Sequence, residues 1–137
     1  STFYKICMVK MRRIKLFEGF NGDITEQEIR GALVELVDDG YDVLVTKVDS
    51  KLVNVYHVSI DCEYNYFDIA NVSEPILELI AYFEEKFGDK FIYSIEYLFW
   101  NDVNEVNDEI EIEDLEQFVK DNPLEDTNQV IITLRLK

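Results

Sequence analysis

Apolar and polar positions alternate at the two-residue period of a strand in stretches rich in Val, Ile, Tyr and Phe. The predicted strands are residues 2–17, 41–48, 52–60, 90–100 and 129–136. Three residues separate the second stretch from the third, which predicts an antiparallel hairpin. The fourth stretch is apolar enough to predict a central strand.

Other stretches place apolar residues on one side of a helix. The predicted helices are 26–39, 73–87 and a short one within 112–121. Thr25 and Glu28 form a capping box at the start of the first helix. Ser73 is the predicted N-cap of the second helix, with Pro75 in its first turn.

The order of these elements predicts an α+β fold, in which a mainly antiparallel sheet of about five strands carries two to three helices. The 137 residues fit a single domain, residues 1–137, and a hydrophobic content of 47% is enough for a core. The first predicted strand is basic, with net charge +4 over the first twenty residues.

Residues 96–126, called the acidic segment below, hold twelve carboxylates and one cation, Lys120, so twelve minus one leaves a net charge of −11. Glu109, Glu111 and Glu113 alternate with two isoleucines, so a strand would align the three carboxylates on one face, about 6.6 Å apart. Ordinary protein surfaces mix both signs of charge. The segment therefore indicates a surface that binds a basic partner.

The whole chain has a net charge of −16 and a pI near 4.2. That charge opposes direct binding to nucleic acid or to an anionic membrane, because the phosphate contribution is repulsive. No apolar run is long enough for a membrane span, and no signal-peptide pattern is present, so we expect a cytoplasmic protein.

No catalytic signature stands out, so we expect a non-enzymatic protein with no catalytic residues, no metal site and no cofactor. Residues 21–28 match only the second half of an EF-hand loop, since Phe17 and Gly19 stand where oxygen ligands are needed. His57 is interpreted as a structural or surface histidine. Cys7 and Cys62 are interpreted as buried free thiols.

The candidate partner-binding residues are the acids of the segment together with Trp100, an aromatic anchor at the end of the fourth strand. They are Trp100, Asp102, Glu105, Asp108, Glu109, Glu111, Glu113, Asp114 and Glu116. The expected partner is a basic nucleic-acid-binding protein, and the sequence assigns no oligomeric state.

The acidic stretch NDVNEVNDEIEIED (101–114) and the closing strand NQVIITLRLK (128–137) resemble small acidic phage-encoded type II-A anti-CRISPR proteins. The resemblance implies an inhibitor in the host bacterial cytoplasm whose target is a CRISPR effector nuclease with its guide RNA. Some family members mimic DNA and occupy the arginine-bearing pocket that reads the PAM. By that resemblance the contact residues are Asp102, Glu105, Asp108, Glu109, Glu111, Glu113 and Asp114. Other members act on other surfaces of the nuclease.

Two alternatives stay open. The chain could be an immunity or antitoxin-type protein that neutralises a basic nuclease toxin. It could also be a structural domain with solvated acids, in which Ile110, Ile112, Leu115 and Phe118 dock the segment onto the core.

Overall fold

The computed structural model describes residues 22–48, 55–62, 66–101, 103, 105–123 and 126–137. The side chains of Trp100, Asn101, Asn107 and Asp126 are not among the described atoms. The predicted basic strand, 2–17, and Cys7 lie outside the described residues.

Four α-helices and seven strands make up the described part of the chain. In chain order they are α1 (Glu26–Ala32), α2 (Val34–Asp38), β1 (Tyr41–Val48), β2 (Val55–Cys62), β3 (Phe67–Asp68), α3 (Ala70–Phe87), β4 (Phe91–Asn101), β5 (Val106–Ile112), α4 (Leu115–Asp121), β6 (Asp126–Thr127) and β7 (Gln129–Leu136). A 3₁₀ turn, Gly88–Lys90, joins α3 to β4.

Five of the strands form one sheet in the order β1-β2-β7-β4-β5, and all four neighbouring pairs are antiparallel. β3 and β6 form a separate two-stranded ladder. The predicted α+β class and the five-stranded antiparallel sheet are confirmed. The predicted hairpin is also confirmed, since β1 and β2 pair along their whole length.

The first predicted helix is broken in two at Leu33, which accounts for four helices where two to three were predicted. Leu33 leaves helical geometry at φ −104° and ψ 11°, and its carbonyl accepts a bond from the Leu36 amide only three residues later. Both leucines are fully buried. The tightened turn therefore lets two short helices press onto the sheet. Gly40 follows α2 at φ 96°, a backbone conformation that suits glycine.

The predicted start of the second helix at Ser73 is wrong, because α3 begins three residues earlier, at Ala70. Ser73 lies inside the helix, and its hydroxyl donates to the Ala70 carbonyl at 2.9 Å instead of capping an amide. Pro75 consequently falls in the second turn, where its missing amide removes one helical bond. The predicted end is right, since Gly88 follows Phe87 at φ 58°.

The core lies between one face of the five-stranded sheet and the helices. Alternate residues of the strands point into it, such as Ile95 and Tyr97 of β4 and Val130, Ile132 and Leu134 of β7. Buried residues of all four helices belong to the same cluster. On the other face, called the outer face below, no helix is packed in the described part of the chain.

A buried carboxylate ties α1 to α3. Glu28 is 2% exposed and accepts hydrogen bonds from the Tyr82 hydroxyl at 2.7 Å and from Lys86 Nζ at 2.9 Å. The Glu28 amide donates to Thr25 Oγ1 at 3.2 Å, which is the predicted N-cap. The second bond between these residues runs from the Thr25 hydroxyl, Oγ1, to the Glu28 carboxylate at 2.8 Å. In a standard capping box, that carboxylate accepts instead from the backbone amide of the N-cap residue. The glutamate thus serves the packing of two helices.

We expect Glu28→Ala to lower the free energy of unfolding by about 3 kcal/mol, because it leaves the Lys86 ammonium and the Tyr82 hydroxyl without their acceptor. Urea denaturation measures the change. Glu26→Ala is the matched control, since it removes only an exposed pair with Arg30 and should change stability by less than about 0.5 kcal/mol. Equal losses in the two variants would contradict the assigned role of Glu28.

Candidate functional site

The acidic segment folds as the β4–β5 hairpin followed by α4. β5 stands at one end of the strand order, and among the described residues it pairs only with β4. The alternating acids over 106–112 do form a strand, β5, although this stretch was not among the five predicted strands. The predicted short helix is confirmed as α4.

Glu109 and Glu111 lie on the outer face, because they pair with Leu98 and Glu96, which alternate with the buried Ile95 and Tyr97. Both glutamates of β5 are exposed and Glu96 is half-buried. We call Glu96, Glu109 and Glu111 the acidic edge. Glu113 is exposed but falls in a bend after β5, so two of the three predicted carboxylates are aligned within the strand.

The carboxylates of the acidic edge crowd one another. Burial raises the pKa of Glu96 above its usual range, and the charge of Glu109, a side-chain hydrogen bond with Glu109 and the charge of Glu111 raise it further. The charge of His57 acts in the opposite direction. A carboxyl group whose pKa is raised by two neighbouring carboxylates as well as by burial marks a place where negative charge is in excess. That place is one a cation would stabilise.

His57 lies on the same face, two strands away on β2. It pairs with Thr133 of β7, and its Nδ1 lies 3.3 Å from the Thr133 hydroxyl. Its side chain is exposed, in agreement with its interpretation as a structural or surface histidine. Its charge lowers the pKa of Glu96 and so partly offsets the acidic edge.

The other predicted residues do not share one surface. Asp108 pairs with Phe99 and so belongs to the helix-side face of the hairpin. Asp114 caps α4 by accepting from the Gln117 amide at 3.1 Å. Glu116 lies 3.5 Å from Lys120 one turn later.

Residues of the hairpin turn complete the predicted set. Glu105 is exposed and has a positive φ of 55°. Asp102 lies outside the described residues, as does the side chain of the predicted anchor Trp100, whose backbone pairs with Asn107.

Glu96 was not among the predicted site residues, because it lies inside an apolar strand. The sequence did offer one indication that Glu96 is unusual, because it is the one charged residue within 91–100. The sequence analysis also did not identify a second pair of neighbouring carboxylates. Asp42 and Asp61 face each other across β1 and β2, and the pKa of Asp61 is raised by burial and by the Asp42 charge.

Beyond the reach of the helices, the helix-side face of the hairpin carries exposed apolar side chains around Asp108. The exposed fractions are 45% for Phe99, 49% for Val106 and 37% for Ile110, while Val103 in the turn is 90% exposed. Ile112, nearer the core, is buried. The hairpin therefore carries Glu96, Glu109 and Glu111 on its outer face, and on its helix-side face it carries apolar side chains interrupted by Asp108.

Three observations bear on other kinds of site. Within the described residues, no group of three or more His, Cys, Asp and Glu side chains could hold a metal ion. None of the described helices is both long enough and apolar enough to cross a membrane. Cys62 is a half-buried free thiol whose Sγ lies 3.5 Å from the Tyr66 carbonyl oxygen.

We expect Glu96→Gln to raise stability at neutral pH by a few tenths of a kcal/mol to about 1 kcal/mol, the range for a like-charge cross-strand contact. The raised pKa means that the folded protein binds this proton more tightly than the unfolded chain does. The stability contributed by Glu96 is therefore complete below its ordinary pKa and is lost as pH rises through the raised value. The additional stability of the Glu96→Gln variant over wild type should therefore disappear at acid pH.

Urea denaturation of Glu96→Gln and wild type from acid to neutral pH measures this change. Glu116→Gln is the control with the opposite sign, because it removes an attraction to Lys120 and should lose up to about 0.5 kcal/mol. A Glu96→Gln variant that is less stable than wild type at neutral pH would contradict the crowding of the acidic edge.

No protein-family model matches this chain, and no curated protein or solved structure matches it either.

Proposed function

We propose that this protein is a non-enzymatic inhibitor that binds a basic nucleic-acid-binding protein through the acidic edge and so prevents it from binding nucleic acid. The observation that carries the proposal is the crowding of Glu96, Glu109 and Glu111 on one face of the β4–β5 hairpin, where burial and then the two neighbouring carboxylates raise the pKa of Glu96. Such crowding is unfavourable in the free protein. A cationic surface relieves it.

The spacing of these groups supports mimicry of a phosphate backbone. Glu109 and Glu111 on one strand are about 6.6 Å apart, and directly opposed residues on β4 and β5 are about 5 Å apart. Phosphates follow one another along a nucleic-acid strand about every 3.4 Å of helix axis, so the carboxylates resemble a backbone-like row of negative charge rather than a one-for-one copy of the phosphates. The Arg and Lys side chains of a pocket that binds this backbone could therefore form charge-assisted hydrogen bonds with the carboxylates.

The hydrogen-bonded ladder between β4 and β5 holds the carboxylates in place before binding. Pre-organisation of this kind lowers the entropy lost on association. Charge complementarity also speeds the encounter of the two proteins, by an amount that falls with salt.

The resemblance of 101–114 and 128–137 to type II-A anti-CRISPR proteins supports a CRISPR effector nuclease with its guide RNA as the target to test first. The same surface would suit a basic nuclease toxin. Both targets use cationic grooves to hold nucleic acid, so the acidic edge is the surface to mutate in either case.

We expect simultaneous charge reversal of Glu109, Glu111 and Glu113 to lysine to abolish inhibition, while the melting temperature stays the same or rises. The reversal places three cations where the partner presents its own, and in the free protein it removes repulsion from Glu96. The measurement is target-DNA binding and cleavage by the nuclease over a titration of inhibitor at low and high salt.

The matched control reverses Asp38, Asp39 and Asp42, three exposed carboxylates at the end of α2 and the start of β1. It changes the net charge by the same amount and should leave inhibition intact. Inhibition that survives the first triple reversal would sink the proposed function. It would leave the acids as solubilising groups or as charges that keep a sheet edge from aggregating.

We also expect binding to release a proton near the raised pKa of Glu96. A cation beside the acidic edge lowers that pKa, so affinity rises with pH through the window between the bound and free values. Calorimetry in two buffers of different ionisation enthalpy measures the protons exchanged.

The Glu96→Gln variant should lose this release, which assigns the proton to Glu96. Binding enthalpies that do not depend on the buffer in wild type, close to the raised pKa, would show that the partner does not contact the acidic edge.

A further inference from the structure

Among the described residues, β5 has no strand paired along one of its two sides. In the described part of the chain it is bonded to β4 on one side only, and it ends the strand order of the sheet. In an antiparallel pair, half of the amide and carbonyl groups of an edge strand point away from its neighbour. The seven residues of β5 give an edge about 23 Å long.

The two rows of side chains beside this edge differ. Glu109 and Glu111 lie on the outer face, next to Glu96. Val106 and Ile110 lie on the helix-side face, with 49% and 37% of their surface exposed. A further strand laid along β5 would therefore meet carboxylates on the outer face, and on the helix-side face it would meet Val106 and Ile110 with Asp108 between them.

Charge selects the occupant of this edge. Antiparallel pairing of β5 with its own copy would bring its acids close to those of the second strand, and like charges on facing strands are destabilising. Neutral strands gain nothing from the carboxylates, whereas Lys or Arg at alternate positions would pair with them. β5 holds three acids and no cation, while the opposite edge strand, β1, holds Asp42 and Lys47 and has no net charge.

We propose that the edge of β5 binds an extended segment of the partner protein, about seven residues long, in which Lys or Arg alternates with apolar residues, as a sixth strand of the sheet. The basic side chains lie over the acidic edge and the apolar ones over Val106, Ile110 and Phe99. The inference rests on the proposed function and names the part of the basic partner that is recognised.

The test uses the full chain and two peptides of eight residues with the same charge. One peptide alternates Lys and Val, and the other replaces its two central Val residues by Pro, which cannot continue a strand. Affinity is measured by fluorescence anisotropy, and hydrogen exchange reports the β5 amides. We expect the first peptide to bind and to slow exchange in β5, and the proline peptide to bind at least about tenfold more weakly, as loss of main-chain bonds requires.

Matched variants separate the two sheet edges. Glu109→Gln with Glu111→Gln should weaken binding of the Lys-Val peptide, whereas Asp42→Asn on β1 should leave it unchanged. Equal affinity for both peptides would overturn strand pairing and leave a binding mode based on charge alone. Binding of neither peptide would also overturn it.

Slow exchange along β5 before any peptide is added would mean that the free chain, or a second copy of it, already pairs with this edge, and would again overturn the proposal. None of these outcomes decides the proposed function. That function fails on a different result, which is inhibition that survives the triple charge reversal.

Discussion

The sheet depends on its last strand. β7 lies between β2 and β4 and pairs antiparallel with both, so it connects the β1–β2 hairpin to the β4–β5 hairpin. Its Val130, Ile132 and Leu134 are fully buried beneath the helices. Thr127, just before β7, is also buried, and its hydroxyl oxygen lies 2.8 Å from the Leu98 carbonyl and 3.0 Å from the Gln129 carbonyl. The entry of β7 beside β4 is therefore held by side-chain as well as main-chain bonds.

The position of β7 decides where the acids lie. Because the last strand takes the centre, the hairpin that precedes it extends the sheet outward, and β5 becomes an edge. An edge strand keeps one side of its backbone unpaired, and charged side chains there discourage pairing with the wrong strand. The same charges favour a basic strand. The same carboxylates can therefore limit aggregation and also favour a basic partner.

The surroundings of two glutamates, Glu28 and Glu96, differ in how the carboxylate charge is balanced. Glu28 is buried, and its charge is balanced by Lys86 and by hydrogen bonds from Tyr82 and Thr25. Glu96 is half-buried, and two of the three charged groups that shift its pKa are other carboxylates, Glu109 and Glu111. The first arrangement stabilises the packing of α1 on α3. The second raises the free energy of the isolated protein, and a nearby positive charge would lower it.

Local signals in the sequence determined the elements. β1 and β7 have the predicted bounds, because their alternation and β-branched residues are local properties, and Thr25 caps the first helix through a contact three residues away. For 106–112 the alternation showed only that a strand would align glutamates on one face, and β5 itself was not among the predicted strands. The break at Leu33, the early start of α3 and the inclusion of Glu96 in the acidic edge were decided by tertiary packing. Strand order and the facing of Glu96 with Glu111 join residues far apart in the chain, and no local pattern records which strands will be neighbours.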